Sequence, residues 1–454
     1  MVRSFALTEI SAFTGGVHHG RDVAVNSVSI DTRTLERGDL FIAIRGPNFN
    51  GEDFIEKAVE KGAVAAMVNS DVVSSIPVIR VNDTRRALGQ FGKMNREFAL
   101  ARMIGITGSQ GKTTVKEMVA AILKNCGDVL FTKGNLNNEL GVPLTLLKIE
   151  KRHKYAVIEM GANKKGDIAY TSSMVKPHIA HITNVAGTHL EGFGSLDAVA
   201  RAKGEIWKGL DSAGLAIINS DDNYAESWKR EAGDKKIITI SARGKTDADY
   251  YVSDAGSRHD GVRNFTLHNP AGRAGIQISL LGEHNVANAL AAAAISIEAG
   301  ADIEAVKKGL REFRPVNGRL CLKKGMNDSL LVDDSYNASP SSFRAAIDVL
   351  VEFQGEKILV AGDMGELGPQ AVAEHCALGS YALNKGVDRL FATGSLSEYT
   401  ARQFGNKAVH CADRDALAEK IRPYLMSGVT VLIKGSRSAG MDKLVQQLTV
   451  TGDK

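Results

Sequence analysis

The stretch GITGSQGKTT constrains this chain more than any other, because only a few backbone arrangements place Gly105, Gly108 and Gly111 ahead of Lys112, Thr113 and Thr114. The apolar run Met103 to Ile106 precedes it and the helix-like VKEMVAAILKN follows, so the segment reads strand, loop, helix. That is the setting of a phosphate-binding loop. Glycines let successive amides of Gly108, Ser109, Gln110 and Gly111 converge on phosphate oxygens, the helix presents its positive end, Lys112 adds a point charge and Thr113 can hold Mg²⁺. The usual pattern has glycine five residues before the GK pair. Here that position is Ile106, and the glycines recur at every third residue instead.

A length of 454 residues at ordinary globular composition points to several domains, and a formal charge of +4 with Lys and Arg interspersed among Asp and Glu calls for neither nucleic acid nor an anionic membrane. No apolar run is long enough for a bilayer, and the N-terminus carries no secretory h-region before Glu9, so a cytoplasmic protein without membrane insertion is expected. Cys126, Cys321, Cys376 and Cys411 form no CxxC pair, consistent with packing residues in a reducing compartment.

Residues 1–83 read as a small N-terminal α/β domain built from GDLFIAIRG, the helical FIEKAVEKG, AVAAMV and IPVIRV. Its polar loops place Asp31, Thr32, Arg33, Arg45, Asn48 and Asn50 near strand ends, where a phosphorylated ligand and plain solvation are equally good readings. Residues 84–314 carry the loop on a central parallel sheet of P-loop ATPase type. In it Glu159 ends the strand YAVIEMGA, well placed to hold Mg²⁺ directly or through water. The strand HIAHITNV leads to His189; His178 and His181 on alternating sides of it, with no thiol nearby, argue against zinc. LDAVARAKGEIWKGL reads as one helix with Lys203 on a solvated face, residues 211–282 as β-rich decoration, and GEHNVANALAAAAISIEAG as a helix whose Asn285 and Asn288 can read a base edge or cap. Residues 315–454 read as a C-terminal Rossmann-like open sheet. LLVDDSYNASP, KILVAGDMGELG and VTVLIKGSRSAG end there in polar loops, and Asp334, Asp363, Glu366, Lys434 and Arg437 are expected to face one crevice. No dinucleotide fingerprint accompanies them. The fold class is thus α/β with three domains.

In order along the chain, GITGSQGKTT, KGNLNNELG, VIEMGAN, THLEGFGS, AKGEI, GEHNVANALAA, NGR, DDSYNASP, GDMGELG and LIKGSRSAG resemble the Mur ligase family of ATP-dependent peptidoglycan precursor ligases. The likeness spans essentially the whole chain. Its branch that adds a diamino acid carries DNPR, absent here, whereas DDSYNA and KGSRSAG fit the branch that adds D-alanyl-D-alanine to a UDP-N-acetylmuramoyl-tripeptide. The resemblance implies an acyl phosphate formed from the muramoyl peptide and ATP, then attack by the incoming amine. Lys112, Lys203, His189 and Glu159 become the catalytic set. Thr113 and Glu159 would hold one Mg²⁺ and His189 a second, oriented by a Lys203 carbamylated by CO₂, which reverses the solvated reading of that lysine. Asn285 and Asn288 match residues at the adenine, and Arg319 and Asp334 residues that reach phosphates and ribose. Thr32, Arg33 and Arg45 match the UDP end, and Asn135, Asn137 and Asn138 the peptide track. Asn337 and Arg437 fall where the dipeptide binds, with Asp363 or Glu366 near its ammonium. Tyr336 stands where some relatives carry lysine. A monomer is expected. The alternatives are another ligase of Mur or folylpolyglutamate type, a P-loop small-molecule kinase, and a nucleotide-binding scaffold.

Overall fold

The computed structural model describes residues 1–187, 190–257 and 261–450. A nine-stranded sheet forms its centre. From one edge run Val129–Phe131, Tyr155–Glu159, Arg102–Thr107, Ile179–Ile182, Leu215–Asn219, Lys236–Ser241 and Tyr250–Ser257, all parallel. Val262–Asn269 and Gly272–Ser279 then close the far edge as antiparallel strands.

Successive side chains of a strand point to opposite faces, and both faces here are covered. Ile104, Ile106, Tyr155 and Val157 pack with Val115, Met118, Val119 and Leu290 from the helices Lys112–Leu123 and His284–Glu298. Met103, Ala156, Ile158 and Ala180 point the other way, against Ile206, Trp207 and Val175. Residues 215–241 are therefore strands of the parallel sheet itself, joined by the helix Ala225–Ala232, rather than decoration. Only the hairpin beyond is peripheral.

The first unit holds a five-stranded sheet in the order Val17–His19, Val78–Arg80, Ala65–Val68, Leu40–Ile42, Val28–Ser29, parallel except at Val17–His19. A helix at Leu7–Thr14 joins the one expected at Ile55–Glu60. Its core is continuous with that of the central unit: Phe5, Leu40, Ile79 and Phe91 belong to the same buried cluster as Ile158 and Trp207. The helix Thr84–Glu97 lies along that seam, and Asn95, fully buried, stitches it. Its Oδ1 accepts from the Val2 amide at 2.9 Å, while Nδ2 donates to the carbonyls of Leu146 at 2.8 Å and Ile149 at 3.2 Å. Asn95→Leu would leave the buried Val2 amide and Ile149 carbonyl without these partners and take one of two donors from the Leu146 carbonyl, which keeps the Ile149 amide, so thermal or urea unfolding should show a loss of about 3 kcal/mol.

The last unit is a six-stranded sheet in the order Cys321–Lys324, Leu330–Asp334, Val429–Lys434, Glu356–Gly362, Arg389–Thr393, Ala408–Cys411, parallel except at the first strand. The three strands expected to end in functional loops are neighbours within it. Its apolar interior is separate from the other two, with Leu281 as the one central residue in its cluster. Among the described residues, no helix is long and apolar enough to cross a membrane and all four cysteines are free thiols.

Candidate nucleotide and ligation site

The loop follows from its glycines. Gly108 has φ +146° and Gly111 φ +79°, conformations that side chains resist. A Cβ on Gly108 would penetrate Thr183 Oγ1, and one on Gly111 would lie 2.5 Å from Asn288 Oδ1. The turn after Ile179–Ile182 clamps the loop from below. Ser109 N donates to the Asn184 carbonyl at 2.9 Å, Gln110 N to Asn184 Oδ1 at 3.0 Å, and Thr183 Oγ1 to the Gln110 carbonyl. Thr183 and Asn184 are site residues that motif reading missed; their signal is position at the C-terminal end of the adjacent parallel strand.

Strand register sets Glu159 opposite Ile106, one turn from the loop. Its carboxylate, 2% exposed, accepts from Thr113 Oγ1 at 3.0 Å on Oε2 and from Asn137 Nδ2 at 2.8 Å on Oε1. Lys112 Nζ donates to the carbonyls of Gly108 at 2.7 Å and Ser109 at 3.2 Å, and burial pushes its pKa down, Glu159 opposing and Arg319 adding to the effect.

A cavity of about 670 Å³ opens above the loop, of the size that holds a small-molecule cofactor. Ser109, Gln110, Gly111, Lys112, Thr113, Thr114, Asn135, Asn137, Asn138, Glu159 and Lys203 line it from the central sheet, with Asn285 and Asn288 beyond. Asn288 Nδ2 donates to Asn285 Oδ1 at 2.9 Å, and Asn285 Nδ2 to the Leu281 carbonyl at 2.7 Å. Asn138 also holds the start of the helix Gly141–Leu146, its Oδ1 accepting from Gly141 N at 2.9 Å.

Lys203 is 2% exposed, not solvated. The expected single helix is divided at Glu205 into Leu196–Gly204 and Ile206–Gly209, and the Glu205 carboxylate accepts the amides of Gly166 and Ala169. Burial, with the Lys112 charge nearby, drives the Lys203 pKa well down. His181, also on the cavity wall, shares Nδ1 with the Ile217 carbonyl at 2.9 Å and is pushed by burial down to about 4, a satisfied core histidine. His178 Nδ1 accepts from the Met103 amide at 2.8 Å. His189 lies outside the described residues; among those described, no cluster of His, Cys, Asp and Glu forms a metal site.

The far wall comes from the last unit: Gly318, Arg319, Asp334, Tyr336, Asn337, Glu366, Lys434 and Arg437. Arg319 Nη2 reaches Thr113 Oγ1 at 3.2 Å, while its buried Nε has no partner. Gln110 Nε2 donates to Ser341 Oγ at 2.6 Å and Ser339 Oγ at 3.1 Å, at the start of the helix Pro340–Val351. Lys434 pairs with Asp334, whose own pKa burial raises against that attraction. The Tyr336 ring takes Arg319 at 4.4 Å and Arg437 at 5.9 Å. Asp363 departs from expectation: it is absent from the wall because Oδ1 accepts Ser397 N and Oγ, each at 2.7 Å, to cap the helix Ser397–Phe404.

Thr32, Arg33 and Arg45 stand apart from this cavity, by the neighbouring strands Val28–Ser29 and Leu40–Ile42. Thr32 is buried, and Arg33, 83% exposed, is paired with Asp31 at 2.6 Å. Arg85 joins the two regions, donating to the Arg45 carbonyl at 2.7 Å and to Glu139 at 3.2 Å, beside the asparagine loop.

Loop, buried acid and asparagine pair on one parallel sheet, faced by the polar strand ends of a second, define a P-loop nucleotide-binding protein whose site is shared between units. Family models match in the same three parts: "Mur ligase family, catalytic domain" over residues 24–96, "Mur ligase middle domain" over 106–296, and "Mur ligase, glutamate ligase domain" over 318–437. The chain is 41% identical over 451 residues to the UDP-N-acetylmuramoyl-tripeptide–D-alanyl-D-alanine ligase of Escherichia coli K12, covering 99% of each. The crystal structure of MurF from Acinetobacter baumannii superposes with a TM-score of 0.92 at 34% identity, covering 98% of this chain and 99% of that one. The MurF ligase of Thermotoga maritima in complex with ADP gives 0.81 at 26%, covering 93% and 96%. This chain belongs to the Mur ligase family.

Proposed function

We propose that this chain is the ATP-dependent ligase that joins D-alanyl-D-alanine to a UDP-N-acetylmuramoyl-tripeptide in peptidoglycan precursor synthesis. The observation that carries the reading is identity sustained at 41% over 99% of the chain to a ligase of that name. The Mur ligase fold with a phosphate loop inside a two-walled cavity supports it.

The peptide carboxylate takes the γ-phosphate of ATP to give an acyl phosphate and ADP. The dipeptide amine then adds to the acyl carbon, and phosphate leaves with both electrons of the broken C–O bond. The chain's task is positioning and charge neutralisation. Loop amides and Lys112 hold the β- and γ-phosphates, and Asn285 and Asn288 hold the adenine. Arg319, whose unpartnered Nε awaits an acceptor, meets the phosphates while Asp334 faces the ribose. Thr113 hydroxyl and the Glu159 carboxylate, adjacent hard oxygen donors, fit Mg²⁺, which when bound neutralises phosphate charge. His189 is assigned to a second Mg²⁺.

Lys203 fits carbamylation. Its buried amine is held toward the neutral form, the form that attacks CO₂ carbon with loss of a proton, and no hydrogen bond or ion pair among the described residues occupies it. The resulting anion would help to orient a metal held by the site. Residues 1–83, with Thr32, Arg33 and Arg45, take the UDP end. Asn135, Asn137 and Asn138 carry the peptide within residues 84–314, and Asn337 and Arg437 take the dipeptide within residues 315–454. Arg437's planar fork suits a terminal carboxylate, and Glu366 remains the acid for the ammonium. The enzyme acts in the cytoplasm as a monomer.

The deciding measurement is phosphate release together with mass spectrometry of the product. Phosphate should appear only with ATP, the nucleotide-linked tripeptide and D-alanyl-D-alanine all present, and the product should carry one new amide. A phosphorylated end product would instead mark a kinase.

A further inference from the structure

Lys116, which the mechanism above does not use, has a side chain at 0% exposure one turn beyond Lys112. Its ammonium donates to the Thr132 carbonyl at 2.6 Å, lies 3.0 Å from Glu117 Oε1, and stands 3.8 Å from Glu159 Oε2. The Glu159 amide in turn donates to Thr132 Oγ1 at 3.0 Å. Acid and lysine are thus fastened to the same residue, and the acid's other oxygen is held by Asn137. Burying an ammonium is costly unless it is paired, and a cation beside a metal-binding carboxylate competes with the metal. Glu117 resolves that conflict. It is 26% exposed, closer to Lys116 than Glu159 is, and belongs to the same helix, so it neutralises the lysine and leaves the Glu159 charge for the cavity.

We infer that Lys116 and Glu117 form a positioning pair for Glu159: Lys116 fixes the carboxylate in the orientation that receives Mg²⁺ with nucleotide, and Glu117 cancels the charge that would repel it. The inference rests on the reading of Glu159 as the Mg²⁺ carboxylate. Groups that orient a metal ligand from behind alter metal affinity by roughly 10- to 100-fold.

The test is calorimetric titration of the full chain with ADP, with and without Mg²⁺. The readout is the factor by which Mg²⁺ tightens ADP binding, a quantity that simple structural damage, which weakens both titrations, does not move. Lys116→Met should reduce that factor roughly ten-fold while ADP affinity without Mg²⁺ stays as in the parent; Lys116→Arg should restore part of it. Glu117→Gln, on a partly exposed side chain that tolerates change, should reduce the factor several-fold in a chain that melts normally. An unchanged or larger factor in Lys116→Met would mean that the lysine only competes with the metal, and overturns the pair. An unchanged factor in Glu117→Gln overturns it as well. Glu159→Gln separates the two levels: a full Mg²⁺ gain in that variant overturns the reading of Glu159 itself.

Discussion

Replacing Lys203 with alanine should cut the ligation rate by roughly three orders of magnitude, the scale lost when an activating charged group leaves a catalytic site. The protein should still fold. Lys203 is 2% exposed and burial holds its amine toward neutrality, so the mutation removes a group that is costly to bury in charged form. Steady-state phosphate release would report the loss. Short-chain carboxylic acids, which fit the space vacated by the side chain and bring back one anion, should restore part of the rate. Full activity in the unsupplemented variant would exclude a carbamate at this position.

The second large effect is expected at Gly108. Alanine there must adopt φ +146°, essentially a glycine conformation, and its Cβ must displace Thr183, whose hydroxyl already holds the Gln110 carbonyl. Backbone strain of about 1–3 kcal/mol and overpacking of similar size add at one place. The loop can relieve this only by swinging off Asn184, which spoils the convergence of its amides. Gly108→Ala should lower the melting temperature and weaken ADP binding by at least two orders of magnitude by titration, whereas a change at Gly134, whose Cβ would meet nothing within 4 Å, should leave nucleotide affinity alone.

The central site was legible because its chemistry and its secondary structure coincide. Glycine spacing, a preceding apolar strand and a following helix can be met together in few ways, and an acid ending the next apolar run has to emerge beside the loop once the strands pair in parallel. Lys203 and Lys116 were harder, since lysine on a helix is ordinarily solvated. The signal lay in their stripes: Lys203 follows Val199 by four and Ala200 by three, and Lys116 sits among Val115, Val119 and Ala120, so each faces inward with its neighbours. The helix Leu7–Thr14 escaped notice because Ala6 before it offers no capping oxygen, leaving Glu9 to bind the Ala6 amide instead. Asp363 looked like a crevice residue by its place at a strand end. Which of two nearby demands such an acid answers, a ligand or the open amides of the next helix, depends on tertiary packing that local pattern does not encode.

The two joints of the molecule are made of different material. The first unit shares its apolar interior with the central one, and parting them would expose Phe5 and Phe91, whose rings meet across the seam, to water. The last unit instead meets the loop through Gln110 and Arg319, and the outer hairpin through Arg263, paired with Glu352 at 2.9 Å. Water can replace each of those bonds at a net cost of about 1–3 kcal/mol. Whatever fills the cavity between the two units would then act as the mortar of that wall, because nothing among the described residues there is comparable to the apolar seam.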